Sequence, residues 1–273
     1  MSGAAPQTQR WTALATRVLA PNAGPMTLDG TNSFVLRAPG ADTAVVVDPG
    51  PEDAAHLELL AAHARVELVL LTHHHADHSE SIHTFASMTG APVRAADPRL
   101  CVGAGPLEDG AEITVAGCRI RTVVTPGHTA DSVCFHLPDD AAFSGEPMPA
   151  GSILTGDTIL GRGTTIIAED GSLTDYLISL ERLRALGAAQ VLPAHGPALP
   201  DLVAICDAYL AHRRERLTEV EAALASLGVR AATDDETVAR VADVVYPQVD
   251  ARIRFAAEAS TRAQLEHLAR PGG

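Results

Sequence analysis

The sequence predicts a layered α/β sandwich that is followed by an all-helical segment. Through the first 200 residues, apolar runs typical of strands alternate with stretches whose apolar residues recur at helical spacing. These runs form two β-rich halves with helices between them, which is typical of a layered α/β sandwich. After Pro200 the composition shifts and the spacing is helical. We therefore expect two domains, at residues 1–204 and 205–273.

In the first half, three apolar runs predict strands at 31–37, 43–48 and 66–72. The first two are joined by Ala38-Pro39-Gly40, a tripeptide typical of turns. The stretch at 51–64 opens with a proline and two acidic residues, which favours a helix N-terminus. A second helix is expected at about 79–88.

In the second half, the residues at 118–125 alternate as in a strand with one wetted face. Further strands are expected near 132–137, 152–156 and 189–192. Leucines at helical spacing predict a helix over 173–186. Beyond Pro200, helical signals lie at 202–227, 235–245 and 249–269.

Composition and charge exclude several classes of protein. The chain has 273 residues and a formal net charge of −14, and its apolar fraction of 46% is ordinary for a globular protein. The acidity disfavours a nucleic-acid coat or an anionic membrane surface as the default partner. No apolar run reaches the roughly 18 residues that a membrane span needs. Because the N-terminus lacks a basic stretch followed by an unbroken apolar run, we expect a cytoplasmic protein.

The strongest chemical signal is a histidine tract, Thr72-His73-His74-His75-Ala76-Asp77-His78, which directly follows a buried strand. His73 and His75 are two residues apart on an extended segment, so their side chains project from the same side. Asp77 and His78 come where the chain enters a helix. The tract can therefore hold two metal ions, and imidazole plus carboxylate suits zinc, with iron or manganese as alternatives.

Three further residues of metal-ligand type also follow apolar runs. His128, Asp157 and His195 each come after a predicted strand and beside a glycine that permits a tight turn. Any one of them alone would be an ordinary loop residue. Ligands that converge from several strand ends are what an α/β active site requires, so together with the histidine tract they predict a metal site.

With these residues the chain resembles the metallo-β-lactamase-fold hydrolases, whose HxHxDH tract and later ligands are matched. The resemblance implies a four-layered αββα sandwich. It implies one metal on His73, His75 and His128, and a second on Asp77, His78 and His195. Asp157 would bridge both metals, and Asp48, at the end of a strand, would orient a ligand histidine.

Longer motifs narrow the resemblance to one branch of the family. GTNSFVL at 30–36, TPGHTADS at 125–132, TGDTILGRGTT at 155–165 and LPAHGP at 192–197 are similar to the branch that includes beta-lactamase-like endoribonucleases. Members of that branch carry a small winged-helix-like tail, which matches the helical segment at 205–273. The resemblance covers nearly the whole chain.

The ligand set implies hydrolysis through a metal-bound hydroxide. A zinc-bound water has a pKa of about 7, so a nucleophile exists at neutral pH without a side-chain base. We assign Asp77, Asp157 and His195 to the catalytic group: Asp77 to orient or deprotonate the water, and Asp157 to set the spacing of the metals. Seven intact ligands argue against a protein that only binds partners.

The ligands give the reaction type and leave the substrate open, since such a hydroxide attacks esters, thioesters, lactams and phosphodiesters alike. The acidic surface favours a small ester or thioester. A metal-dependent single-strand endoribonuclease is the alternative, favoured by the branch resemblance and the arginines of the tail. β-Lactam hydrolysis and iron-dependent dioxygenation are disfavoured. An oligomer is compatible with the sequence, and no membrane partner is expected.

Substrate contacts are expected from two arginine-bearing segments. Arg162 and Thr164 lie in a glycine-rich segment just after Asp157 and could contact an anionic group. A turn with a solvated arginine is the alternative. Arg213 belongs to a basic cluster on the first helix of the tail, where a solvated helix face paired with Glu215 and Glu219 is the alternative.

Overall fold

In the computed structural model, which describes residues 7–167, 170–250 and 254–270, two β-sheets provide the framework. One sheet has six strands that lie side by side in the order of the chain, and the other has five strands that also lie in the order of the chain. The strands of the first sheet are β1 (Thr8–Arg10), β2 (Ala15–Leu19), β3 (Asn32–Leu36), β4 (Thr43–Val47), β5 (Arg65–Leu70) and β6 (Val93–Arg94). The strands of the second sheet are β7 (Glu112–Val115), β8 (Cys118–Val124), β9 (Val133–Leu137), β10 (Ser152–Gly156) and β11 (Gln190–Pro193).

Seven α-helices accompany the sheets in the described ranges. They are α1 (Ala54–Ala61), α2 (Ala76–Ser79), α3 (Ile82–Thr89), α4 (Leu173–Arg184), α5 (Leu202–Leu227), α6 (Asp235–Val245) and α7 (Arg254–Ala269). Four of them begin directly after a side chain that accepts a backbone amide of the first turn: Asp53, Ser172, Asp201 and Asp234. Such caps satisfy amides that have no partner inside the helix, and they fix where each helix starts.

Alternation along the strands creates four layers. In β4, Val45 and Val47 face the second sheet and pack against residues such as Phe135, while Val46 faces the opposite way, toward α1 and α3. The outer face of the second sheet packs in the same manner against α4 and the first half of α5. The order of layers is therefore helix, sheet, sheet, helix, which confirms the predicted αββα sandwich.

Parallel strand pairs bring several strand ends to one edge of the sandwich. Strand β4 runs parallel to β5, and β10 runs parallel to β11. Strand β8 runs in the same direction as β10, because each is antiparallel to β9. The loops that follow β4, β5, β8, β10 and β11 therefore leave the sheets at corresponding ends, and these loops carry the predicted ligands.

The tail is helical in the described ranges 205–250 and 254–270. The second half of α5 packs with α6 and α7 through a small apolar cluster that includes Val220, Val241 and Leu265. No strand occurs in these ranges, so the helical tail is confirmed and the wing stays a prediction. The boundary between residues 204 and 205 also stays a prediction, and helix α5 runs across it.

The sequence missed four short strands, all near sheet edges: β1, β2, β6 and β7. Strand β2 carries Arg17 at a buried position, which interrupts its apolar pattern. The other three have two to four residues, too few for periodicity to be visible. In the predicted helix at 249–269, residues 251–253 lie outside the described ranges.

Within the described ranges, every helix is too short or too polar to cross a lipid bilayer.

A substitution between the two sheets tests this layer assignment. Phe135→Ala should lower the free energy of unfolding by about 3–5 kcal/mol, because it removes a fully buried ring from the intersheet core. Phe143→Ala is the matched control: this ring is 64% exposed, and its loss should cost less than about 1 kcal/mol. Urea unfolding measures both values, and equal losses in the two variants would contradict the layer assignment.

Candidate metal centre

The loops at the ends of four strands converge on one cluster of imidazoles and carboxylates. His73 and His75 follow β5, His128 follows β8, Asp157 follows β10 and His195 follows β11, while Asp77 and His78 lie on the one-turn helix α2. Their possible ligand atoms form two groups in which all atoms lie within 4.8 Å of one another. The first group is His73, His75, His128 and Asp157, and the second is Asp77, His78 and His195.

Three imidazole nitrogens meet in the first group. The Nδ1 of His75 lies 3.0 Å from the Nε2 of His73 and 3.1 Å from the Nε2 of His128. The Oδ2 of Asp157 lies 3.7 Å from the same Nε2 of His128. The three rings therefore present one nitrogen each to a common point, as in a three-histidine metal site.

The opposite ring nitrogens of His73 and His128 are occupied by hydrogen bonds. The hydroxyl of Thr72 donates to Asp48 at 2.7 Å and so accepts from the Nδ1 of His73 at 3.0 Å. The Nδ1 of His128 donates to the carbonyl of Ile166 at 2.7 Å. Because Nδ1 is the donor in both contacts, Nε2 is the nitrogen of each ring that is left to face the cluster as a ligand atom.

In the second group two imidazoles face carboxylates. The Oδ2 of Asp77 lies 3.2 Å from the Nε2 atoms of both His78 and His195. The Oδ1 of Asp157 lies 3.2 Å from the Nε2 of His195 and 3.6 Å from that of His78. Asp157 thus directs one oxygen to each group, which is the arrangement of a bridging ligand.

Asp48 holds the imidazole of His78 in the second group. This buried carboxylate accepts the amide of Thr72 at 2.8 Å and the Nδ1 of His78 at 2.9 Å. Its φ of 52° lies in the left-handed region, which costs a non-glycine residue roughly 1 kcal/mol or more. The contact with His78 supports the prediction that Asp48 orients a ligand histidine.

Two glycines allow the strands to approach the cluster. Gly127, with a φ of 146°, precedes His128, and a Cβ there would lie 2.4 Å from the Cα of Tyr176. Gly156 precedes Asp157, and a Cβ there would lie 2.7 Å from the Cβ of Thr72. A side chain at either position would displace the backbone that carries a candidate ligand.

The two groups differ in their electrostatics. In the first, burial and the neighbouring His128 lower the pKa of His75 to about 4, so its ring is neutral. In the second, burial opposes protonation of His195, yet Asp157 and Asp77 outweigh it and raise its pKa to about 9. Burial alone would raise the pKa of Asp157, but His195 and His78 hold that pKa well below its ordinary value.

The donor set fits a divalent cation. The Nε2 of His78 and the Oδ1 of Asp157 are buried, and neither has a hydrogen-bond partner among the described residues. The Nδ1–H of His78 donates a hydrogen bond to Asp48. Its Nε2 therefore interacts favourably with the neighbouring carboxylates only if it carries a proton or if a cation lies between them. Nitrogen and oxygen donors in this number could hold zinc, iron or manganese.

The residues predicted to contact substrate are not members of either ligand group. Arg162 is exposed and pairs with Asp29, and Thr164 is half-buried in the same segment. Arg213 is buried and donates to the carbonyl of Thr165 at 2.6 Å. Substrate contact by these three residues stays a prediction.

Two other arginines of the basic cluster on α5 are engaged with acids. Arg214 lies 3.5 Å from Glu181, and Arg216 pairs with Glu219, one of the two acids expected from the sequence. With Arg213 buried, the arginines of this helix do not form an open basic face. The polyanion surface that an endoribonuclease would need is therefore lacking at these three positions.

Sequence reasoning missed the residues that form hydrogen bonds to the candidate ligands and keep them in position. Thr72 and Thr165 each contact the Nδ1 of a candidate ligand histidine, and Thr31 donates to Asp77 at 2.9 Å. Tyr209 of α5 contacts the segment that follows Asp157. The four-residue spacing of Tyr209 and Arg213 on one helix face was the available signal for this contact.

Comparisons with known proteins agree with this geometry. The family model described as the metallo-beta-lactamase superfamily matches residues 26–195. A beta-lactamase-like protein 2 homolog of Caenorhabditis elegans is 29% identical over 270 residues, covering 94% of this chain and 84% of that protein. An atrochrysone carboxyl ACP thioesterase of Paecilomyces divaricatus is 30% identical over 273 residues, covering 94% of this chain and 80% of that protein.

A crystal structure shows the same fold. The metallo-beta-lactamase family protein from Thermus thermophilus superimposes with a TM-score of 0.70 at 25% identity, over 94% of this chain and 92% of that one. Some fungal lactamase-like relatives are longer, and the match with this chain spans 66% of their length. The chain belongs to the metallo-beta-lactamase superfamily and is a metal-dependent hydrolase of that family.

Proposed function

We propose that this hydrolase is dinuclear, that its metals are zinc, and that its substrate is a small ester or thioester. The observation that carries the dinuclear site is the position of Asp157, whose Oδ2 faces His128 while its Oδ1 faces His195. One carboxylate shared between two groups of ligands is the arrangement that fixes the spacing of a metal pair.

The proposed ligands are those predicted from the sequence. His73, His75 and His128 would hold one ion, Asp77, His78 and His195 the other, and Asp157 both. Imidazole and carboxylate donors favour zinc, with iron and manganese as alternatives. When bound, such a pair supplies Lewis acidity and a water that is activated at neutral pH.

The protein's own residues would then orient the reactants. Asp77 is 27% exposed, whereas His78 and His195 are almost fully buried, so its carboxylate is the group of the second cluster that reaches solvent. Thr31 donates to its Oδ2 and restricts its rotation. We assign Asp77 to orient the attacking water, Asp157 to hold the two groups of ligands together, and His195 to complete the second group.

A small acyl substrate is favoured by two observations. The thioesterase of Paecilomyces divaricatus covers 94% of this chain in its match, and another thioesterase is 34% identical over 196 residues. The arginines of α5 are buried or paired, and the chain carries a net charge of −14, so long-range attraction of RNA is weak. In this proposal, residues 1–204 form the catalytic domain and 205–273 the helical domain.

A substrate panel tests the chemical class. Zinc-loaded protein should hydrolyse a simple acyl thioester of N-acetylcysteamine and a p-nitrophenyl ester, and EDTA should abolish both reactions because the activated water is lost. A chromogenic β-lactam and a labelled single-stranded RNA should react far more slowly, as measured by kcat/KM. EDTA-sensitive cleavage of the RNA in preference to the thioester would make the protein a ribonuclease and overturn the acyl assignment.

Removal of the shared carboxylate tests the dinuclear site. Asp157→Asn should lower the metal content below two ions per chain and reduce kcat/KM by about a thousandfold, since a metal contributes several kcal/mol to transition-state stabilisation. Elemental analysis and steady-state kinetics measure the two effects. Asp139→Asn is the control, because this exposed carboxylate pairs with Arg119 outside the cluster. Full activity in Asp157→Asn would rule out the two-metal mechanism.

A further inference from the structure

The segment from Thr158 to Ile167 links two candidate ligands that are distant in the sequence. It begins directly after Asp157, and near its end it contacts His128. The Nδ1 of His128 lies 2.7 Å from the carbonyl of Ile166 and 2.9 Å from the hydroxyl of Thr165. The position of this short stretch therefore determines where the ring of His128 points.

The segment contains two glycines and has no regular secondary structure, and one backbone contact, from the Gly161 amide to the carbonyl of His195 at 2.8 Å, ties its first half to the site. Helix α5 supplies further contacts. The hydroxyl of Tyr209 donates to the carbonyl of Gly163 at 2.7 Å and accepts the amide of Leu160 at 3.2 Å. One turn later, the Nη2 of Arg213 donates to the carbonyl of Thr165 at 2.6 Å.

Burial of the charged side chain of Arg213 indicates a role beyond packing. Its side chain is 4% exposed, and its guanidinium lies 5.1 Å from the centre of the Tyr176 ring. Tyr176 in turn donates to the carbonyl of Thr158 at 2.7 Å. Burying a cation against a carbonyl and a ring costs free energy of folding, whereas an apolar side chain of similar length would cost less.

We infer that Tyr209 and Arg213 are positioning residues that hold His128, through Thr165 and Ile166, in the tautomer and orientation needed to bind metal. The inference rests on the proposed metal centre. For Arg213 it is an alternative to the substrate contact predicted from the sequence, which stays a prediction. The first helix of the tail would thus set the affinity of the centre without touching a metal or a substrate.

Four variants separate this role from a structural one. Tyr209→Phe deletes one hydroxyl, and Arg213→Gln removes the cation and shortens the donor. Arg213→Lys keeps a cation that can still reach the carbonyl of Thr165. Arg214→Gln is the matched control, because Arg214 is the neighbouring arginine on α5, is 67% exposed and pairs with Glu181.

Two readouts address His128 directly. Long-range ¹H–¹⁵N correlation spectra of the metal-free protein report which ring nitrogen of each histidine carries the proton. Competition with a chromogenic chelator reports the affinity for each of two zinc ions. Circular dichroism and thermal unfolding establish that each variant is folded.

In the wild type, the spectra should place a proton on the Nδ1 of His128, as its contact with the carbonyl of Ile166 requires. In Tyr209→Phe and Arg213→Gln, this signal should shift or broaden, and one zinc ion should bind roughly tenfold more weakly, the low end of the effect seen when partners of a metal ligand are removed. Arg213→Lys should recover part of the affinity, and Arg214→Gln should match the wild type.

Loss of thermal stability in Tyr209→Phe and Arg213→Gln with an unchanged His128 signal and unchanged zinc affinity would overturn the inference and leave the proposed function intact. If the wild type itself takes up no zinc, the proposed function fails and the inference fails with it. Should Arg213→Gln not fold, Tyr209→Phe decides, since it removes one oxygen atom and no charge.

Discussion

Buried negative charge at one edge of the sandwich is the constraint on which the rest of the structure depends. Asp48 is 2% exposed, and the side chain of Asp157 is 12% exposed. Isolated carboxylates in such positions cost several kcal/mol each unless positive charge and hydrogen bonds compensate them. The Nδ1–H of His78 donates to Asp48, and the other ring nitrogen faces Asp77 and Asp157. These contacts are favourable only if a proton or a cation lies between the groups, and hydrogen bonds on the outer side of the candidate ligand rings hold them in place.

The supporting contacts share one feature: each candidate ligand ring except that of His75 is contacted at its Nδ1. Thr72 serves His73, Asp48 serves His78, and the carbonyl of Gly30 lies 3.3 Å from the Nδ1 of His195. Each partner belongs to a strand end or to the loop that follows it. The sheets therefore do more than bring the loops together, because their ends also decide which nitrogen of each ring faces the centre.

The sequence predicted the layers and the ligand positions because both are local in the chain. A ligand that follows a strand is visible as an apolar run, a glycine and a histidine or aspartate, as at His128, Asp157 and His195. The supporting contacts were not visible, since they join residues far apart in the sequence, such as Thr165 with Arg213. The burial of Arg213 could not be predicted either, because a run of arginines on a helix does not show which side chain points inward. The packing of α5 on α4 determines which one does.

Helix α5 connects two parts of the molecule that the composition separates. Its first half, from Leu202 to Leu210, packs in the core of the sandwich, and its second half packs with α6 and α7. A helix shared between two apolar clusters cannot shift in one without disturbing the other, since packed cores resist small displacements. Because Tyr209 and Arg213 lie where the two halves meet, the tail and the segment behind His128 are mechanically joined. In the proposed mechanism the tail is then part of the scaffold that supports the candidate metal centre, in addition to any contact that it makes with a substrate.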